Sequence, residues 1–197
     1  TGEGADPAAF VTPAATPAPA LTVHAAVAAA APSLPVGVDY GGRWTEFASS
    51  ASRGGVSGDP VMSVEPSIAA TADQRFVAWA DNRNGRFQIY VAADGRDGWT
   101  QLAASAQDGG VSSTFSDSRE PCLAIDSDGN PLVAWLECSG AAADVRVAKF
   151  DPAADAGRGA WVALGNSLAH GGISSDGASQ PRIVATSAGP VVAWIDK

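Results

Sequence analysis

Basic residues are scarce in this chain: 12 Lys and Arg stand against 21 Asp and Glu, for a net charge of −9. That balance disfavours nucleic acid and anionic membrane surfaces, because phosphate binding needs clustered cations. A cationic partner, a metal ion or a neutral ligand suits it better. Long apolar runs are also missing; nothing approaches the roughly 18 to 20 residues needed to cross a bilayer. The longest, "LTVHAAVAAAA" from Leu21 to Ala31, is short, Ala-rich and has no basic residues before it, so it does not read as an intact signal peptide. A chain beginning at Thr1 reads as a processed form or as a segment of something longer.

Histidine, tyrosine and cysteine occur twice each. His24 and His170 are isolated, so no Ser-His-Asp set is marked. Cys122 and Cys138 have no second Cys or His pair near them, which argues against a metal site. Both fall in one repeat, where the preceding repeat has Ser67 and Asn82. If the two cysteines face each other on neighbouring strands, a disulfide would close a loop of about 15 residues, worth ~3 kcal/mol. It would point to an oxidising, extracytoplasmic compartment: secreted, cell-surface or periplasmic. The alternative is a pair of buried, unbonded thiols.

What is present is repetition. The length of 197 residues fits one domain of ordinary size plus a tail. Residues 1–35 are that tail: Ala and Pro fill 19 of the 35 positions without any apolar alternation, so an extended arm or linker is expected. From Trp44 onward "GGVS" at Gly54 to Ser57 returns at Gly109 to Ser112 and again as "GGIS" at Gly171 to Ser174. All six tryptophans fall at repeat positions, Trp44, Trp99 and Trp161 opening the units and Trp79, Trp135 and Trp194 sitting in "VAW". Such repetition predicts packing rather than ligand contact.

Each unit holds four strand-like segments, in the first "PSIAA", "RFVAWAD", "QIYVAA" and "WTQLA", joined by Gly-, Asn- and Asp-bearing turns. Four short strands in each 55 to 60 residues is the size of a β-propeller blade. The expected fold class is therefore all-β, a propeller of four-stranded blades with about three blades' worth of strands at 36–197. The order is permuted. The third unit stops after "PVVAWIDK", while "VGVDY" (Val36 to Tyr40) and "WTEFA" (Trp44 to Ala48) match third and fourth strands, so the strands at 36–48 would complete a blade. Three blades do not close a ring. The expected partner is thus a second copy completing a six-bladed ring, or further blades of a longer protein or assembly.

These units resemble the sialidase-like, Asp-box-related repeat propellers of bacterial secreted proteins, of the form "P-x-I-A … G-x-P-x-V-A-W … I-x-V … W". The resemblance implies that the Pro-led segment is a blade's inner strand and the Trp-opened segment its outer one. "ADGRDGW" and "DAGRGAW" keep the Asp, Gly and Trp of the Asp box but not its full spacing. A sialidase-type mechanism would require by resemblance an arginine triad, a Tyr nucleophile with a Glu partner and an Asp acid/base. Tyr40 and Tyr90 both fall in third-strand positions, and Arg182 has no convergent set around it.

The "GG[VI]S" stretches should lie between an outer strand and the next inner strand, beside the channel mouth. Glu65, Glu120 and Gln180 occupy equivalent positions before the inner-strand prolines, and Asp81, Glu137 and Asp196 each stand two residues after a tryptophan. Together they form a candidate acidic rim for a cation or for sugar hydroxyls, with a solvated polar rim as the bland alternative. "DSDGN" at Asp126 to Asn130 lacks the later ligands of a calcium loop and reads as a turn. No resident metal or cofactor is expected, Ca2+ at the rim being the one ion considered. The sequence reads as a binding or structural module that is not an enzyme, with a lectin-like sugar-binding propeller and a sialidase-type hydrolase fragment as alternatives.

Overall fold

The computed structural model describes residues 46, 50–51, 54–58, 61–95, 98–169, 171–174 and 177–196. All belong to the unit Trp44–Lys197. The expected arm at 1–35, and the expected strands at 36–48 apart from Glu46, lie outside the described residues.

Strands β1 (Ser63–Ala70), β2 (Arg75–Asp81), β3 (Gln88–Gly95) and β4 (Gly98–Gln101) form one antiparallel sheet in sequence order. Strands β5 (Asp117–Ile125), β6 (Pro131–Ser139), β7 (Ala142–Asp151) and β8 (Ala160–Ala163) form a second. Strands β9 (Ser179–Thr186) and β10 (Gly189–Ile195) form a two-stranded third. Local chemistry sets the hairpins. At the β5–β6 turn the Asp126 carboxylate accepts the amides of Asp128 at 2.9 Å and Asn130 at 2.8 Å, while Gly129 supplies a φ of 84°. Lys149 on β7 closes on the same carboxylate at 2.6 Å, so "DSDGN" is a turn with its acidic group already engaged.

Period-2 alternation sorts the apolar side chains onto two faces of each sheet. Phe76, Ala78 and Ala80 of β2 pack forward onto Leu123, Val133 and Trp135 of the second sheet. Leu132, Ala134 and Leu136 of β6 pack forward in the same way, onto Ile183 with Val192 and Trp194 of the third. The first strands β1, β5 and β9 lie side by side. Sheets stacked face to face with their first strands innermost make this a β-propeller, described as two complete blades and the first half of a third. Full burial of side chains such as Phe76, Trp135 and Leu132 contributes about 1.5–3 kcal/mol each. Trp161 adds a tie across blades, its indole N–H donating to the Leu102 carbonyl at 3.1 Å.

The repeated "GG[VI]S" docks on a third strand. The Val111 amide donates to the Ile89 carbonyl at 2.7 Å, and the Ile89 amide returns a bond to the Ser112 hydroxyl at 2.9 Å. Ile173, Val145 and Ser174 repeat the pair at 3.0 and 2.8 Å. The glycine before the Val or Ile must sit almost on that strand: a Cβ on Gly110 or Gly172 would stand 2.2 Å from the Ile89 or Val145 carbonyl oxygen. Both also have positive φ, 63° and 60°.

Candidate functional site

The site is built where the inner strands break register. Each carries a β-bulge, between Val64 and Ser67 in β1 and between Arg119 and Cys122 in β5, with the matching irregularity opposite β9 at Ala193 and Ile195. At its centre a non-glycine residue takes left-handed φ: Glu65 at 56°, Glu120 at 51° and Gln180 at 53°. A proline follows each of them. Such a conformation costs roughly 1–2 kcal/mol for an L-residue, so three in a row need compensation.

The compensation comes from the neighbouring blade. The Glu65 carboxylate accepts the amide of Glu120 at 2.7 Å, and the Glu120 carboxylate accepts the amide of Gln180 at 2.9 Å. Each glutamate thus holds the bulge of the next inner strand. Ser67 acts in parallel, its hydroxyl accepting the Leu123 amide at 3.0 Å. Arg119 clamps Glu65, with Nε 3.1 Å from both carboxylate oxygens and Nη2 2.6 Å from Oε1. Its guanidinium lies 4.1 Å from the centre of the Phe87 ring. Burial by itself would raise the Glu65 carboxyl, but the bonds from Arg119 and the Glu120 amide outweigh it and hold the group below its ordinary 4.5. Glu65 is therefore a fixed acceptor, poorly suited to donate a proton.

Between these bulges runs an open groove of about 610 Å³, lined by Glu65, Pro66, Ser67, Glu120, Pro121, Cys122, Gln180 and Arg182. Arg182 and Gln180 are exposed there. The Arg182 guanidinium donates to the Pro181 carbonyl at 2.8 Å and has no carboxylate partner among the described residues. Prolines at 66, 121 and 181 stiffen the walls by fixing φ.

Of the six rim candidates, Glu65, Glu120 and Gln180 come together in this groove; the other three are occupied elsewhere. Asp81 is fully buried. It accepts from the Ser63 hydroxyl at 2.7 Å, the Trp79 indole at 3.3 Å and the Arg83 amide at 2.8 Å, and pairs with the Arg83 guanidinium at 3.0 Å. Burial would raise its carboxyl, yet the Arg83 and Ser63 bonds prevail and lower it from 3.8. Asp196 likewise accepts the Trp194 indole N–H at 2.8 Å. Glu137 breaks the pattern. Arg146 stands across from Trp135 where Tyr90 stands across from Trp79, and it draws Glu137 to 3.4 Å, leaving the buried Trp135 indole N–H without a partner among the described residues. Arg119 and Ser67, which shape the groove, had no distinguishing signal in the sequence beyond their closeness to the Pro-led strands.

The disulfide expectation is corrected by the register. Cys122 lies opposite Ala134 and Cys138 opposite Asp117, and both thiols are free. Cys138 is thus four residues along β6 from the partner of Cys122, about 13 Å at strand rise and well beyond disulfide reach. The argument for an oxidising compartment loses that support. Burial, the largest influence, raises the Cys138 thiol above its ordinary 9.0. Among the described residues no group of three His, Cys, Asp or Glu is placed to hold a metal ion, and no helix is long and apolar enough to cross a membrane.

No protein-family model and no curated protein matches this chain. It is similar to a solved glycosyl hydrolase from Bacteroides ovatus at 11% identity and a TM-score of 0.40, over 68% of this chain and 43% of the other. It is also similar to a structure from the GH130 family of mannoside phosphorylases, which contains glycoside hydrolases that target β-1,2 mannosidic linkages in Candida mannan. There the identity is 10% and the TM-score 0.36, over 69% of this chain and 42% of the other. The chain spans less than half the length of these structures. The likeness does not single out the sialidase Asp box. Against the expectation that the chain is not an enzyme, the structures it is similar to are described as a glycosyl hydrolase and as a phosphorylase and hydrolase family.

Proposed function

We propose that the groove across the three inner strands binds carbohydrate. The observation that carries this reading is the groove's lining. Fixed acceptors at Glu65 and Glu120, the mixed donor and acceptor of Gln180 and the uncommitted donors of Arg182 converge on a cleft of about 610 Å³. That volume suits one or a few sugar units. Sugar hydroxyls can both donate to the carboxylates and accept from the guanidinium and amide, which no purely cationic or apolar ligand does. Among the described residues no aromatic ring lines the groove, so affinity rests on hydrogen bonds. Arg182 gives an added term to sugars that carry a carboxylate, in keeping with the resemblance to sialidase-like propellers.

The experiment is a glycan array followed by titration calorimetry on the best ligand. Arg182→Ala should weaken binding by roughly tenfold or more, as for loss of a charged hydrogen bond. Glu120→Gln, which keeps an acceptor for the Gln180 amide, should weaken it less. Absence of any glycan bound, or unchanged affinity in both variants, sinks the reading. Aryl glycosides tested alongside show whether a bound glycosidic bond is also cut.

A further inference from the structure

We propose that the second blade holds one resident water molecule at the point where the first blade puts a carboxylate oxygen. In the first blade a single atom, Asp81 Oδ2, accepts from both the Ser63 hydroxyl at 2.7 Å and the Trp79 indole N–H at 3.3 Å. Ser118 and Trp135 occupy the same two positions of the second blade. Ser118 stands opposite Glu137 as Ser63 stands opposite Asp81, and Trp135 precedes Glu137 by two residues as Trp79 precedes Asp81. Hydroxyl and indole therefore converge on one point here as well. Both residues are buried, at 0% and 1% exposure, and neither Ser118 Oγ nor Trp135 Nε1 has a hydrogen-bond partner among the described residues. The third blade carries Ala178 at the serine position, so only the Trp194 indole needs an acceptor there, and Asp196 supplies it at 2.8 Å.

One methylene and one guanidinium make the difference. Glu137 is longer than Asp81 by a methylene, and Arg146, opposite Trp135, draws its carboxylate to 3.4 Å from Nε. Asp144, opposite Glu137, stands 3.6 Å from Nη2 of the same arginine. Period-2 alternation puts Ser118, Trp135, Glu137, Asp144 and Arg146 on one face of the sheet. That face keeps buried atoms of both kinds without a hydrogen bond: the indole N–H and Arg146 Nε as donors, Asp144 Oδ1 as an acceptor and Ser118 Oγ as either. Two carboxylates repel an anion, and the indole N–H and the guanidinium repel a cation. Water both donates and accepts, and buried waters make about three hydrogen bonds to groups of this kind. The Glu137 side chain, 18% exposed, gives it a way in. The inference does not rest on sugar binding, and its failure would leave the groove intact.

A crystal structure of the 197-residue chain tests it. One solvent peak is expected about 2.7–3.2 Å from both Trp135 Nε1 and Ser118 Oγ. Glu137→Asp restores the first-blade carboxylate, so the peak should be lost and a carboxylate oxygen should take its place. A wild type in which a protein atom accepts from the Trp135 indole, or in which that point holds no density, overturns the proposal. So does an ion there, recognised by its anomalous scattering, and so does a peak that persists in Glu137→Asp. Should that variant fail to fold, nuclear magnetic resonance of the wild type decides: the Trp135 indole proton should show a cross-peak to long-lived water that the Trp79 indole, held by Asp81, lacks. Equal behaviour of the two indoles overturns the proposal.

Discussion

At the residue scale the glycines of "GG[VI]S" and the carboxylate of Asp81 are the sharpest cases. A methyl group on Gly110 or Gly172 would have to push a third-strand carbonyl away, in addition to the cost of positive φ. Gly110→Ala and Gly172→Ala should each cost about 3 kcal/mol or more in urea melts. Gly129→Ala, at a φ of 84° with nothing within 4 Å of its Cβ, should cost only about 1 kcal/mol. Equal losses at the three sites would show that docking on the third strand does not constrain the glycine. Asp81 gives a pH test. Its folded value is held below 3.8, so in acid the unfolded chain binds the proton first. Its stabilisation is present above 3.8 and is lost as pH falls through the folded value. Asp81→Asn should lower stability by about 3–5 kcal/mol by leaving Arg83 without its buried partner. It should also flatten the acid limb of denaturation, measured as the urea midpoint against pH.

At the scale of the element, the inner-strand bulge depends on a residue 55 positions away. Glu65→Ala should expose the Glu120 amide, raise its hydrogen-exchange rate and cost about 1–2 kcal/mol, whereas Glu65→Gln should retain most of the protection because an acceptor remains. Equal exchange in both variants would remove the tie from the account. Strands and hairpins were legible in the sequence because their signals are local: alternation in "RFVAWAD", an Asx turn in "DSDGN", a glycine pair ahead of each inner strand. The destiny of the carboxylates was not. Asp81, Glu137 and Asp196 look alike after their tryptophans, yet Arg83 buries the first and Arg146 diverts the second. The cysteines misled because their spacing does not show where the hairpin is centred: the turn pairs Ile125 with Pro131 and hence Cys122 with Ala134, four residues short of Cys138.

At the scale of the whole molecule, each blade touches only its neighbours, so stability should fall off toward an end that lacks one. In the 197-residue chain the amides of β10 should exchange fastest among the strands, and those of β2, β3, β6 and β7 slowest, as read by mass spectrometry. A uniform pattern would mean that the blades unfold as a single unit. The repeat period was readable from Trp and Pro spacing alone, whereas the inner place of the Pro-led strands, which lie side by side, came from the family resemblance. The groove was legible only in part, since its wall belongs to three repeats at once and depends on a backbone conformation that glutamate and glutamine rarely adopt. The carboxylate-to-amide tie runs from one position of a repeat to the same position of the next. Duplicating or deleting one whole repeat therefore leaves this tie intact, since the next bulge presents the same amide. A gene for such a chain can gain or lose blades by unequal recombination while every joint keeps its chemistry, so ring size is free to drift in evolution while the joint is not.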